Sequence, residues 1–282
     1  MTTHPIPYRL LAFDYDGTLA SDGGSITPRT RRALKLAHDQ GCTLALITGR
    51  SKYTVPPVVF RQPFTYLATA NGARIDNLET RQLISQSPLS RELAFELLDI
   101  FDPEDVSYTA FLNGRLYFET RSLEFLRKRS NISFIKKVKS FWEFVTQVKI
   151  ADNIRRVLQD SSEPIEKLIC TYQDPARCAR MLERMQARTD LEAVTTSGND
   201  IEFTARGVNK GTAITHLMTR LAIPREQVLA FGDSGNDLAM IETAGCFMAP
   251  EDASPDVLEK AHQIIPSPLN DGVAVALEGM FG

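Results

Sequence analysis

The sequence predicts an α/β protein in which a parallel-sheet core is split around an inserted α+β domain. Three observations carry this. In the first third, and again beyond Gly207, short apolar runs alternate with helical stretches, the pattern of parallel strands joined by right-handed crossovers. Between these regions, apolar runs flank the tight-turn signals Asn113-Gly114 and Ser197-Gly198-Asn199-Asp200, which read as hairpins. The length, 282 residues, suits two domains of about 100–200 residues each. The expected division gives 1–82 and 205–282 to the core and 83–204 to the insert.

Each element has a local reason. Residues 8–13 form a short apolar run suited to a buried strand that ends at Asp14. Thr27 is an N-cap with Pro28 at the first helical position, and Gly41 closes that helix. Residues 43–47 are a second apolar strand, followed by Thr48-Gly49-Arg50, and Pro56-Pro57 breaks any helix that starts near Ser51. Residues 66–70 are a third strand before the tight-turn signal Asn71-Gly72.

In the insert, strands are expected at 106–112, 115–120, 165–172, 191–196 and 201–204, and Asp174-Pro175 opens a helix that runs to about Arg188. Residues 133–142 are basic and aromatic and show no periodicity that assigns them. Beyond Gly207 follow a helix over 210–222, a strand over 228–231, a helix over 237–244 and a strand near Phe247. A helix over 255–262 and an amphipathic segment over 271–280 complete the chain.

Composition excludes several functional classes. Thirty-two Lys and Arg against 35 Asp and Glu leave a net charge of −3, which argues against a bulk electrostatic grip on nucleic acid or anionic lipid. The basic stretch Lys136 to Lys139, beside Phe134, Phe141 and Trp142, reads as a solvated face. No apolar run approaches the roughly 20 residues that span a bilayer. Only residues 10–13 are apolar ahead of the first acidic cluster, so no signal-peptide core is expected and a cytoplasmic location is. Cys42, Cys170, Cys178 and Cys246 form no C-x-x-C pair and read as buried thiols of a reducing compartment. The histidines at 4, 38, 216 and 262 are scattered, with none beside a nucleophile. No feature sets an oligomeric state.

The chemistry concentrates at strand ends. In LLAFDYDGTLA, Asp14 ends an apolar strand and Asp16 lies two residues on, able to point to the same side. The carboxyl end of a parallel strand faces the crevice where such sheets bind ligands. A lone D-x-D is usually a solvated turn, but VLAFGDSGND repeats the arrangement, with Asp233 and Asp237 after a second apolar strand. Four carboxylates converging on one crevice raise one another's pKa unless a cation screens them. Oxygen-only ligands favour Mg²⁺, so Asp14, Asp16, Asp233 and Asp237 are the candidate metal residues.

Two further segments supply complementary groups. Thr48 offers a hydroxyl, and the Gly49 N–H can approach a phosphate closely. Lys210, opening a helix in GVNKG, offers a point charge for phosphate oxygens. Arg50 is explained equally by a structural salt bridge or by substrate contact.

Together FDYDGT, ITGR, GVNKG and GDSGND resemble, in order, the four motifs of the haloacid dehalogenase-like phosphatase superfamily. The Asn71-Gly72 turn, the position of the insert and the closing NDGVAVALE resemble its Cof-type branch, which carries a large α+β (type IIB) cap. The chain departs from that branch at CFMAPEDAS, 246–254, where a small glycine-rich strand and turn is usual, and at Pro56-Pro57, where a regular helix is common.

The resemblance implies a Rossmann-like core and a Mg²⁺-dependent phosphatase of small phosphorylated metabolites. In that reading Asp14 is the nucleophile, Asp16 the general acid and base, and Thr48 and Lys210 hold the phosphoryl oxygens. Thr48, Gly49, Asn71 and Lys210 bind substrate. Sugar phosphates are the first expectation, with flavin mononucleotide and pyridoxal phosphate also within the branch. A phosphomutase or phosphotransferase would use the same aspartyl-phosphate but pass it to a sugar hydroxyl. A non-catalytic phosphosugar-binding protein would be expected to lack Asp14 or Asp16, and both are present.

Overall fold

The computed structural model describes residues 8–21, 24–122 and 148–282. The basic, aromatic run at 133–142 lies outside the described residues. The chain divides into two compact units, one of residues 1–49, 56–85 and 209–282, the other of residues 50–55 and 86–208.

The first unit begins with β1 (Leu10–Phe13), α1 (Pro28–Asp39), β2 (Thr43–Ile47), β3 (Tyr66–Thr69), β4 (Arg74–Asn77) and β5 (Gln82–Gln86). Thr27 caps α1 as expected, its hydroxyl accepting from the Thr30 N–H at 3.1 Å. Between β2 and β3 the two prolines leave only short 3₁₀ turns, at Lys52–Thr54 and Val59–Arg61.

The second unit contains α2 (Arg91–Phe101), β6 (Val106–Leu112), β7 (Arg115–Glu119), β8 (Val148–Ala151), α3 (Ile154–Asp160), β9 (Ile165–Tyr172), α4 (Pro175–Gln186), β10 (Leu191–Val194) and β11 (Asp200–Ala205). The chain then returns through α5 (Lys210–Leu221), β12 (Val228–Phe231), α6 (Leu238–Thr243), β13 (Cys246–Pro250), α7 (Pro255–Lys260), β14 (Gln263–Ile265) and α8 (Gly272–Phe281).

The sheet of the first unit runs β14-β13-β12-β1-β2-β3-β4-β5, parallel from β14 to β3. β3 and β4 pair antiparallel, an arrangement the apolar pattern did not anticipate. The reversal is made by Ala70, Asn71 and Gly72, all at positive φ (51°, 56° and 99°), and the buried pair Arg74–Asp76 at 2.7 Å lies on the returning strand. Leu10 and Ala12 of β1 share a core with Ile214 and Leu217 of α5 and Met240 of α6. Because side chains alternate along a strand, Phe13 points to the opposite face, where it stacks on Phe231 at 4.9 Å. A strand apolar on both faces is the signature of a sheet covered by helices on both sides, and β1 and β12 are buried throughout.

The second unit has a six-stranded sheet in the order β10-β11-β9-β6-β7-β8. Its hairpins β6–β7 and β10–β11 are antiparallel, as the turn signals predicted. One face packs on α2, α3 and α4 through Leu97, Phe101, Leu158 and Met185, set against Ala110, Leu168, Cys170 and Phe203. Residues 50–55 belong to this unit: the Tyr53 N–H donates to the Gly114 carbonyl at 3.1 Å, and Arg115 lies over the Tyr53 ring. Among the described residues no helix is long and apolar enough to cross a membrane.

Candidate active site

The parallel register sets Phe13 beside both Phe231 and Leu46, so the carboxyl ends of β12, β1 and β2 lie side by side. β1 is followed in sequence by β2 on one flank, while β12 arrives from far downstream on the other. This is the kind of switch in strand order at which open α/β sheets form their ligand crevice. Asp14 sits there, 4% exposed, its N–H donating to the Phe231 carbonyl at 2.9 Å.

Lys210 enters from the start of α5. Asn209 caps that helix in a reciprocal box with Thr212, which fixes where the first turn begins. From that position the Lys210 ammonium donates to Asp14 Oδ1 at 2.7 Å and to Asp237 Oδ1 at 2.6 Å. Asp237 Oδ2 accepts from the N–H groups of Asp233 and Ser234, both at 3.0 Å. Asp233 Oδ1 accepts from the Thr18 hydroxyl at 2.8 Å. Gly17 lies against the same carboxylate: at φ +77°, a Cβ there would sit 2.3 Å from Asp233 Oδ2, so glycine is required by close approach as well as by backbone conformation.

Asp14, Asp233 and Asp237 each offer an oxygen within 4.8 Å of the others. The Asp16 carboxylate stands outside that trio, on a turn closed by the Gly17 N–H to the Ala20 carbonyl at 2.8 Å, but close enough for its charge to act on both Asp14 and Asp233. Burial pushes the Asp14 carboxyl well above the usual range; Lys210 opposes this, and Asp237, Asp233 and Asp16 add to it. Burial, then the charge of Asp237, pushes Asp233 up to about 7 against the Thr18 hydrogen bond and Lys210. Burial alone would pull Lys210 down, but Asp14 and Asp237 outweigh it and hold the ammonium charged. One ammonium thus faces three carboxylates. The donor set is oxygen only, with a charge deficit that a divalent cation fits.

Thr48 is buried at the end of β2; its N–H donates to the Ala68 carbonyl at 2.9 Å, and its carbonyl accepts from the Asn71 N–H at 3.1 Å. Gly49 follows it, half-buried. Arg50 donates to the Thr54 carbonyl at 3.0 Å, within the second unit.

Three contacts had no reading in the sequence. Thr18 was visible only as part of DGT, and its carboxylate partner is 215 residues away. Asn236, which looks like a helix-capping residue, donates to Asn71 at 3.3 Å across 165 residues. The departing segment 246–254 supports the acidic loop, because the Ser254 N–H donates to the Asp233 carbonyl at 2.8 Å.

The haloacid dehalogenase-like hydrolase family model matches residues 11–277. The chain belongs to that family. This hydrolase is 27% identical over 280 residues to the 5-amino-6-(5-phospho-D-ribitylamino)uracil phosphatase YcsE of Bacillus subtilis, covering 96% of this chain and 95% of the relative. Its fold matches a haloacid dehalogenase-like hydrolase structure from B. subtilis with a TM-score of 0.85 at 23% identity, over 96% of this chain and 99% of the other. It also matches the subclass IIB sugar phosphatase BT4131, with a TM-score of 0.78 at 21% identity, over 96% and 99% of the two chains. The Cof-type fold, a parallel-sheet hydrolase with an inserted α+β unit, is therefore the fold of this chain.

Proposed function

We propose that this hydrolase is a phosphatase of small phosphorylated metabolites that works through an aspartyl-phosphate on Asp14. The observation that carries the reading is the Asp14 carboxylate, buried at the end of β1, hydrogen-bonded by Lys210 and grouped with Asp233 and Asp237.

Asp14, Asp233 and the Asp16 backbone carbonyl are the groups that would hold Mg²⁺; both oxygens of Asp237 are engaged by Lys210 and by the loop N–H groups, so it keeps the loop and the lysine in place. When bound, the ion supplies positive charge that keeps Asp14 and Asp233 ionised and offsets the charge of the phosphate. An Asp14 carboxylate oxygen attacks phosphorus as the bond to the leaving oxygen breaks, and Asp16 gives that oxygen its proton. A water molecule then attacks the phosphorus, losing its proton to Asp16 while the bond to Asp14 breaks and phosphate is freed. Lys210, Thr48 and the Gly49 N–H neutralise the phosphoryl oxygens, where charge is spread in the transition state. Asn71 completes the rim of this phosphate site.

All the groups assigned to phosphorus come from the first unit. The phosphoribityl substrate in the name of YcsE and the name of the sugar phosphatase BT4131 support phosphorylated sugars and sugar alcohols as the first candidates to test. Asp14→Asn keeps the shape of the nucleophile and removes its charge. It should abolish hydrolysis of p-nitrophenyl phosphate in Mg²⁺, and activity within tenfold of wild type would refute the assignment. A panel of phosphorylated sugars, sugar alcohols and cofactors, read as free phosphate, tests the substrate class.

A further inference from the structure

We infer that Asn236 is a positioning residue that acts through Asn71, and that the turn 70–72 is the piece that holds three segments of the active site in one frame. This rests on the phosphatase reading above and adds to it a residue that the nucleophile, acid and phosphate-binding roles do not include.

The turn touches each segment separately. Its Asn71 N–H donates to the Thr48 carbonyl at 3.1 Å. Its Asn71 side-chain Oδ1 accepts from Asn236 Nδ2 at 3.3 Å, and Asn236 Oδ1 accepts from the Ser234 hydroxyl at 3.0 Å. Its Gly72, at φ +99°, lies so close to the start of α5 that a Cβ there would be 2.8 Å from the Asn209 carbonyl oxygen and 3.0 Å from Ala213 Cβ. Asn209 is the residue before Lys210. One reversed turn therefore meets the end of β2, the acidic loop after β12 and the helix end that carries the lysine.

Residue choice agrees with this role. Asn71 is held at φ 56°, a conformation that asparagine tolerates better than other non-glycine residues. Asn71 and Asn236 are both buried, where a polar side chain requires a partner, and the Asn236 amide donates to the Asn71 side-chain oxygen. The loop that Asn236 ties down is the one whose Asp233 and Ser234 N–H groups hold Asp237 Oδ2, and Asp237 in turn holds Lys210. Release of Asn236 is transmitted to the lysine through Asp237, without contact between Asn236 and the phosphate.

The test is a double-mutant cycle of Asn236→Ala and Asn71→Gly, the glycine chosen because it accepts the positive φ. It is read by kcat and KM for p-nitrophenyl phosphate in saturating Mg²⁺, and by amide hydrogen exchange at Asp233 and Ser234. Asn236→Ala should lower kcat by roughly 10- to 100-fold, the scale of a small misplacement of a reacting group, with KM within about threefold, while Asn71→Gly, which also removes a group from the rim of the phosphate site, should lower kcat at least as much and raise KM. The double variant should be about as slow as the slower single one, because both changes break one connection. Exchange at Asp233 and Ser234 should quicken in all three while the β12 amides stay protected. Should Asn236→Ala not fold, Asn236→Ser takes its place in the cycle. Wild-type kcat and exchange in the Asn236 variant, or losses that multiply in the double variant, would overturn the inference. If wild-type protein hydrolyses no phosphate ester, the phosphatase reading fails by itself, and the exchange measurement alone decides whether Asn236 holds the loop through Asn71.

Discussion

Lys210 is the residue on which the charge balance of the site turns, since its ammonium reaches Asp14 and Asp237 at 2.7 and 2.6 Å while both are buried. Lys210→Met keeps most of the volume and removes the charge. Removal of a preorganised charge aimed at a transition state typically costs about 10²–10³ in rate, and a loss of at least that size in kcat is expected here. Lys210→Arg should recover little, because a planar fork cannot replace a point charge between two carboxylates. Steady-state kinetics with circular dichroism to confirm folding checks both. Asp14 and Asp233 stood out in the sequence because carboxylates just beyond fully apolar strands are conspicuous, whereas Lys210 and Asp237 sit at helix starts and drew attention only in company with them. Asn236 and Thr18 were not legible, since an amide or a hydroxyl beside Gly and Asp satisfies every local rule for a turn, and the partner that reveals its use lies 165 or 215 residues away.

At the level of elements, Asp200 shows how one side chain secures a hairpin. It accepts from the Thr195 hydroxyl at 2.9 Å, the Thr196 N–H at 3.1 Å, the Thr196 hydroxyl at 3.0 Å and the Ser197 N–H at 3.2 Å. Burial alone would raise its pKa, but the hydrogen bonds outweigh burial and hold it below the usual range. A depressed folded-state value means stability that is present above the unfolded-state value, about 3.9, and lost as pH falls through the folded one. Asp200→Ala should therefore destabilise the protein at pH 7 by about 1–3 kcal/mol, and the gap to wild type should narrow as pH falls below about 4. Urea unfolding at several pH values measures it, and a gap independent of pH would refute the argument. This hairpin and β6–β7 were readable because Gly and Asn at their tips mark the turn. β4 and β5 were not: polar residues outnumber apolar ones in Arg74–Asn77 and Gln82–Gln86, and their strand character comes from pairing, β4 beside β3 and β5 beside β4. The turn after β3 was signalled by Asn71-Gly72, but not the left-handed conformation of Ala70 at φ 51°, because alanine is not a turn residue.

At the scale of the whole molecule, the acidic cluster should link metal binding to stability. Three carboxylates within 4.8 Å share one ammonium, so the folded protein carries a charge deficit that the unfolded chain, with those groups far apart and solvated, does not. A ligand that binds only the folded form stabilises it by RT ln(1 + [L]/Kd), about 2.7 kcal/mol at a hundredfold excess over Kd. Added Mg²⁺ should raise the melting temperature of the wild-type protein and chelator should reverse the rise. Ca²⁺, with longer bonds and a larger shell, should support little turnover whatever it does to stability. Asp233→Asn separates the two contributions. The amide keeps an oxygen for the Thr18 hydroxyl and removes a buried charge that Asp237 and Asp16 repel, so the metal-free variant should melt at or above metal-free wild type. The same change removes a candidate metal ligand, so its melting temperature should no longer respond to Mg²⁺ and its activity should fall to background. The two curves should cross as Mg²⁺ is added, wild type beginning at or below the variant and ending above it. Parallel curves would mean that Asp233 is not a metal ligand; a variant less stable without metal would mean that its charge is balanced in the protein alone.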